Sequence, residues 1–378
     1  MSLGWLSRAV AQSVNLHPYI PGKPITQMLR EQGFTDEQIQ VKVGETVKLA
    51  SNENPNGPPP LAITAMQKAA TQVHLYPDGD CYSLKQALAK EHGIQSNQIL
   101  IGNGSNEVLE LIIRSFAGAG DEVVYSQRAF IVYALATTAA GAVGVSVPES
   151  DGFSHDLAAM LAAVNERTKV VCIANPNNPT GALLSTQDLQ TFLNQLPAHI
   201  VVILDEAYYE YVTDEIEDSI HHLTHPGLVV SRTFSKAYGL AGCRIGFAVA
   251  DAALLAVVNR FREPFNVNMI AQAAALAALQ DKDWVFGHVQ TCKKERVLLE
   301  KALKERQCLA IGSHGNFVLF QHEKALDIVK QLEQKGVIVR PLAPYGMPDV
   351  LRVSVGTESE NAKFLNKLDE VLATVSET

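Results

Sequence analysis

Four short stretches of the chain carry residue types that do chemistry at a useful spacing. The first is Ser231-Arg232-Thr233-Phe234-Ser235-Lys236, trailed by Gly239, Gly242, Arg244 and Gly246. A lysine amine forms an imine with a carbonyl, while flanking hydroxyls and a guanidinium eight residues on hold a phosphate. By itself, such a lysine is equally well an exposed residue of a glycine-rich loop. The second stretch, Asp205-Glu206-Ala207-Tyr208, closes an apolar run. A carboxylate there either pairs with a protonated ring nitrogen or caps a helix. In the third, Asn175-Pro176-Asn177-Asn178-Pro179-Thr180-Gly181, the prolines and asparagines dictate a tight turn. They also present an amide that donates to a phenolate without changing charge. The fourth, Gly102-Asn103-Gly104-Ser105-Asn106-Glu107, is a glycine loop between a strand and a helix. Its free N–H groups favour an anion, although it matches neither a Walker loop nor the full dinucleotide fingerprint.

These stretches need a scaffold, and the surrounding patterns predict one. Continuous Val/Ile-rich runs at 122–125, 170–173, 200–204 and 227–230 read as strands buried on both faces of a parallel sheet. Ligands of such sheets gather at the carboxyl ends of the strands, where the polar motifs lie. Helices are expected over 61–71, 83–92 and 106–116, with a short strand at 98–101. The polar start of the chain, with Pro18-Tyr19-Ile20-Pro21-Gly22-Lys23-Pro24, reads as an extended arm. Beyond Ala271 an alanine-rich helix, a charged helix around 293–304 and strands at 316–321, 337–340 and 350–355 predict a smaller α+β domain. The expected division is an arm with part of the small domain over 1–45, a large domain over 46–270 and a small domain over 271–378.

Composition bounds the possibilities. A chain of 378 residues is too long for one ordinary core. Its 47% hydrophobic and 19% charged residues suit a soluble globular protein. A formal net charge of −9 argues against non-specific nucleic-acid binding. The five cysteines are far apart and fit reduced thiols. No leader pattern and no run of roughly 20 apolar residues is present, so a cytoplasmic enzyme without membrane or metal is expected.

The four motifs in this order resemble the fold-type I pyridoxal-phosphate aminotransferases, and within them the histidinol-phosphate aminotransferases. The likeness runs from Leu16 to Gly356. The proline-rich arm, Asn52-Glu53-Asn54-Pro55, Tyr76-Pro77-Asp78-Gly79 and Leu351-Arg352-Val353-Ser354-Val355-Gly356-Thr357 narrow it to that branch. The resemblance implies an α/β fold: a large domain with a mostly parallel seven-stranded sheet covered by helices, plus a smaller α+β domain. It also implies pyridoxal 5′-phosphate and a homodimer with shared active sites. By the same resemblance, Lys236 forms the Schiff base and shuttles a proton, its pKa lowered with help from Arg244. Asp205 pairs with the ring nitrogen, while Asn178 and Tyr208 bond the ring hydroxyl oxygen. Ser105, Asn106, Thr233, Ser235 and Arg244 hold the phosphate. Phe130 covers the ring where relatives often have tyrosine, and Tyr76 reaches the phosphate of the neighbouring subunit. Arg352 is implied to clamp the carboxylate of glutamate or 2-oxoglutarate and, with Arg340 and Tyr19, the phosphate of histidinol phosphate. Asn54 joins them on the substrate side. An aromatic amino-acid aminotransferase and a threonine-phosphate decarboxylase are the nearest alternative enzymes. A ligand-sensing module of a transcription regulator is the alternative outside enzymes, and the expected basic DNA-binding region is missing from this sequence.

Overall fold

A computed structural model describes residue 4 and residues 8–14 and 22–376. Tyr19 and residues 18–21 of the arm therefore lie outside the described residues. A seven-stranded sheet dominates, ordered Ile99–Gly102, Gly246–Ala250, Leu228–Thr233, Val201–Asp205, Thr168–Ala174, Glu122–Ser126, Val143–Val147. Only Gly246–Ala250 runs antiparallel to its two neighbours. The central strands are buried on both faces, as their unbroken apolar runs predict. Val170, Cys172, Val201 and Ile203 face the helices Ser105–Phe116 and Val132–Ala139. Val171, Ile173, Val202 and Leu204 face Leu157–Ala163 and Thr186–Leu193 on the other side. Each fully buried aliphatic side chain contributes about 1.5–3 kcal/mol, so these strands give the site a stiff floor.

The smaller part carries a four-stranded antiparallel sheet in the order Arg340–Pro341, Val350–Ser354, Phe317–Gln321, Leu309–Ile311. The helices Lys282–Glu305, Ala325–Gln334 and Glu358–Ser376 pack on it through Leu299, Ile328, Leu332, Phe364 and Leu368. Val47–Lys48 pairs in parallel with Val337–Ile338, which ties the start of the chain to this part.

Several elements differ from expectation for identifiable reasons. The stretch 337–340 splits into two strands that serve different sheets. Gly246–Ala250 was not expected as a strand, because its short run of small residues follows the phosphate-binding motif directly. The charged helix begins at Lys282, well before 293. The alanine-rich helix, Met269–Ala278, packs Ala271, Ala274, Ala275 and Ala278 against Leu84, Ile99 and Phe247. Its small side chains let it lie close to Pro60–Ala70. Among the described residues, no helix is long and apolar enough to cross a membrane.

Candidate active site

Three neighbouring parallel strands, Thr168–Ala174, Val201–Asp205 and Leu228–Thr233, end at the floor of a cavity of about 260 Å³. Ser105, Asn106, Phe130, Asn178, Asp205 and Tyr208 line it from the sheet side. Thr233, Ser235, Lys236 and Arg244 come from the last of those strands and the loop after it, and Arg340 and Arg352 reach in from the small sheet. Segments more than a hundred residues apart in sequence are thus brought to one place.

One end is built for an anion. Helix Ser105–Phe116 starts after Gly104, whose φ is +83°, and no side chain caps it. Its first-turn N–H groups are therefore left for a ligand. A Cβ on Gly104 would lie 2.4 Å from Arg244 Nη2, and one on Gly246 would lie 2.6 Å from the Ser105 nitrogen. Both glycines are needed so that guanidinium and helix start can approach each other. Thr233 Oγ1 donates to Ser235 Oγ at 3.0 Å, and Arg244 Nη1 approaches that oxygen at 3.5 Å.

The opposite end is built for a cationic ring nitrogen. Asp205 is buried, and its Oδ2 accepts from the Tyr133 hydroxyl at 2.9 Å. Its Oδ1, buried beside the cavity, has no hydrogen-bond partner. Such an orphan is rare in a folded interior and marks a place where a ligand atom belongs. Burial pushes the carboxyl up to about 6 against the hydrogen bond from Tyr133. Between these ends, Tyr208 accepts from Asn52 Nδ2 at 2.8 Å, and Asn178 Oδ1 accepts from Arg352 Nη1. Burial raises the Tyr208 phenol to about 12, so it stays protonated.

Lys236 Nζ donates to the Ser51 carbonyl at 3.1 Å. Its pKa is lowered to about 8, by burial first and then by Arg352, with Arg244 a lesser contributor and Glu53 opposing. The sequence expectation named Arg244 alone, because folding is what brings Arg352 and the apolar walls to the amine. An anion cradle, a buried carboxylate with one unpartnered oxygen and a lysine of lowered pKa together fit pyridoxal 5′-phosphate.

The two arginines on the substrate side sit opposite each other in register on adjacent strands. They are only 9% and 7% exposed, which is rare for arginine and expensive without partners. Arg352 Nη2 donates to the Ala50 carbonyl at 3.0 Å, and its guanidinium centre lies 5.3 Å from the middle of the Phe317 ring.

Two expected residues do not line the cavity. Asn54 does not line the cavity; its Nδ2 donates to the Ala237 carbonyl at 3.0 Å and its Oδ1 accepts from Asn56 N. It braces the backbone after Lys236 instead of facing a substrate. Tyr76, expected to serve a neighbouring subunit, is 82% exposed and stacks on Phe265 with ring centroids 4.8 Å apart, outside this cavity. Conversely, Asn52, Glu53, Ser51 and Tyr133 act at the site without having been singled out. Asn52 opens the Asn52-Glu53-Asn54-Pro55 motif, whose sequence does not say which asparagine faces the cavity. Tyr133 lies in an apolar helix with no local signal, and only the fold shows what its hydroxyl meets.

The family model for aminotransferase class I and II matches residues 44–368. A histidinol-phosphate aminotransferase of Methylobacillus flagellatus is 47% identical over 94% of this chain and 95% of its own length. A second relative of that name, from Pseudomonas fluorescens, is 43% identical over 99% of this chain and all of its own length. The crystal structure of the histidinol-phosphate aminotransferase from Sinorhizobium meliloti, in complex with pyridoxal-5′-phosphate, superposes with a TM-score of 0.88 at 29% identity, covering 98% of each chain. With the family model spanning both sheets and relatives of 43–47% identity along nearly the whole chain, the chain belongs to the class I and II aminotransferases, in their histidinol-phosphate aminotransferase branch.

Proposed function

We propose that this enzyme is a pyridoxal-phosphate-dependent transaminase that moves an amino group between L-histidinol phosphate and 2-oxoglutarate, giving imidazole acetol phosphate and glutamate in histidine biosynthesis. The observation that carries the substrate choice is the pair of buried arginines, Arg340 and Arg352, set apart from the cofactor's own anion cradle. Both substrates bring an anionic group that a guanidinium fork binds, a phosphate on one and carboxylates on the other.

When bound, pyridoxal phosphate supplies an electron sink for the pair released at the substrate's Cα. The residues of this chain do the rest. Ser105, Asn106, Thr233, Ser235 and Arg244 hold the phosphate end, and Phe130 covers one face. Asp205 Oδ1 holds the proton on the ring nitrogen, while Asn178 and Tyr208 face the ring hydroxyl oxygen. Lys236 takes the proton from Cα and returns it, a task its lowered pKa suits. Arg352 receives the carboxylate of 2-oxoglutarate and, with Arg340, the phosphate of histidinol phosphate; Tyr19 joins them in this proposal.

Initial rates with histidinol phosphate and with phenylalanine, each with 2-oxoglutarate, test the substrate. A kcat/KM at least about 100-fold higher for histidinol phosphate is expected, because its phosphate can engage both guanidiniums, while the single carboxylate of phenylalanine engages one. Comparable efficiencies would favour the aromatic aminotransferase.

The proposal includes a cytoplasmic homodimer. Support for the dimer comes from Tyr76, which is 82% exposed and stacks on the exposed Phe265 ring at 4.8 Å, leaving two aromatic rings on the surface next to each other. Sedimentation should show two subunits, and Tyr76→Ala should weaken cofactor retention about tenfold by removing one phosphate contact. A fully active monomer would overturn this part.

A further inference from the structure

Tyr133 is fully buried on helix Val132–Ala139, behind Asp205 rather than in the cavity. Its hydroxyl has one side-chain partner, Asp205 Oδ2 at 2.9 Å. The Phe130 ring meets its ring edge-on, with centroids 6.1 Å apart and planes at 89°. The same side chain therefore touches both Asp205 and Phe130, which would meet the cofactor's ring nitrogen and ring face when it is bound. We propose that Tyr133 is a positioning residue that pins Asp205 Oδ2 from behind, turns Oδ1 into the cavity and keeps the carboxylate ionised for the cofactor's ring nitrogen.

The chemistry follows from the surroundings. The Tyr133 phenol is held well above its usual range by burial and by the neighbouring Asp205, so it remains a donor at every working pH. Burial is the largest influence on Asp205 and favours its neutral form, and the Tyr133 hydrogen bond is the largest opposing one. The other groups that bear on the pair do not replace it. The Ala207 backbone N–H is the next opposing influence and is weaker than Tyr133, Glu206 adds a like charge but is locked to Arg232 at 2.7 Å, and Lys236 is weaker still. Tyr208 and Cys172 are protonated neighbours, both pushed up by burial. Without the phenol hydroxyl, Asp205 would titrate at higher pH and its Oδ1 would lose a fixed direction.

Tyr133→Phe keeps the ring and its packing while deleting the hydroxyl. For this variant we expect cofactor affinity about tenfold weaker, read by absorbance titration of the apoprotein, since a shift of one pKa unit is worth a factor of ten. Turnover should fall with little change in either KM, and the acid limb of its pH profile should move up by about one unit. The direction is fixed, because a raised carboxyl pKa delays ionisation to higher pH. In an Asp205→Asn background, the same substitution should change cofactor affinity by less than about twofold. Unfolding midpoint and circular dichroism of the apoprotein guard against a folding defect. An unmoved acid limb, or affinity losses that simply add in the double variant, would overturn the proposal.

Discussion

Lys236→Ala should lower turnover by roughly 10⁴-fold or more and abolish the adduct that borohydride traps between cofactor and protein. Among the described residues Lys236 is the only lysine lining the cavity, and none of them places a second amine to take over. The substitution leaves Asp205 and the Arg244 cradle in place, and the variant should still take up the cofactor without a covalent link. The wild type provides a control with a defined sign. A lysine with its pKa lowered to about 8 attacks a carbonyl only as the free amine. Cofactor uptake should therefore speed up as pH rises through about 8, and at pH 7.5 about a quarter of the amine is already neutral, against about 0.1% at an ordinary lysine pKa. The variant should lack that pH dependence. A trapped adduct that persists in Lys236→Ala would show that another amine carries the chemistry.

This residue also shows what sequence alone conveys and where it stops. Lys236 was recognisable because its motif is local: hydroxyls, glycines and an arginine within ten residues. The same holds for the buried strands, whose unbroken Val and Ile runs are a property of neighbouring positions. What lowers the lysine's pKa was not legible, because burial and Arg352 act across more than a hundred residues of sequence. Asn54 and Asn52 illustrate the finer limit. Both belong to one polar loop, and only the backbone path decides that Asn52, with its φ of +54°, turns to Tyr208 while Asn54 turns to Ala237. The partner of the alanine-rich helix is likewise not legible, since small residues say that something packs closely but not what.

Asp205→Asn separates what the site does from what the fold would prefer. Asparagine can still hydrogen-bond, but it carries no charge to hold a protonated ring nitrogen. Removing one partner of a buried ion pair costs about 3–5 kcal/mol, so turnover should fall about 10²- to 10⁴-fold while the lysine and the phosphate cradle still bind cofactor. The apoprotein should respond in the opposite direction. Burial raises the Asp205 pKa from 3.8 to about 6, which means the folded state prefers the neutral acid. The ionised form therefore weighs against the empty fold increasingly as pH rises from about 4 to 6, and fully so above 6. Asparagine removes that burden, and the apo variant should melt higher than apo wild type by about 2 °C or more at pH 8, with the gap closing as pH falls toward 4. Adding pyridoxal phosphate should reverse the order, because only the wild type gains the ion pair. Near-normal turnover would refute the electrostatic role of Asp205. An apo melting gap that ignores pH would show that its carboxyl is not strained by burial. If both effects appear, the orphaned Oδ1 is a stability cost that this fold retains because the ring nitrogen satisfies it in the working enzyme.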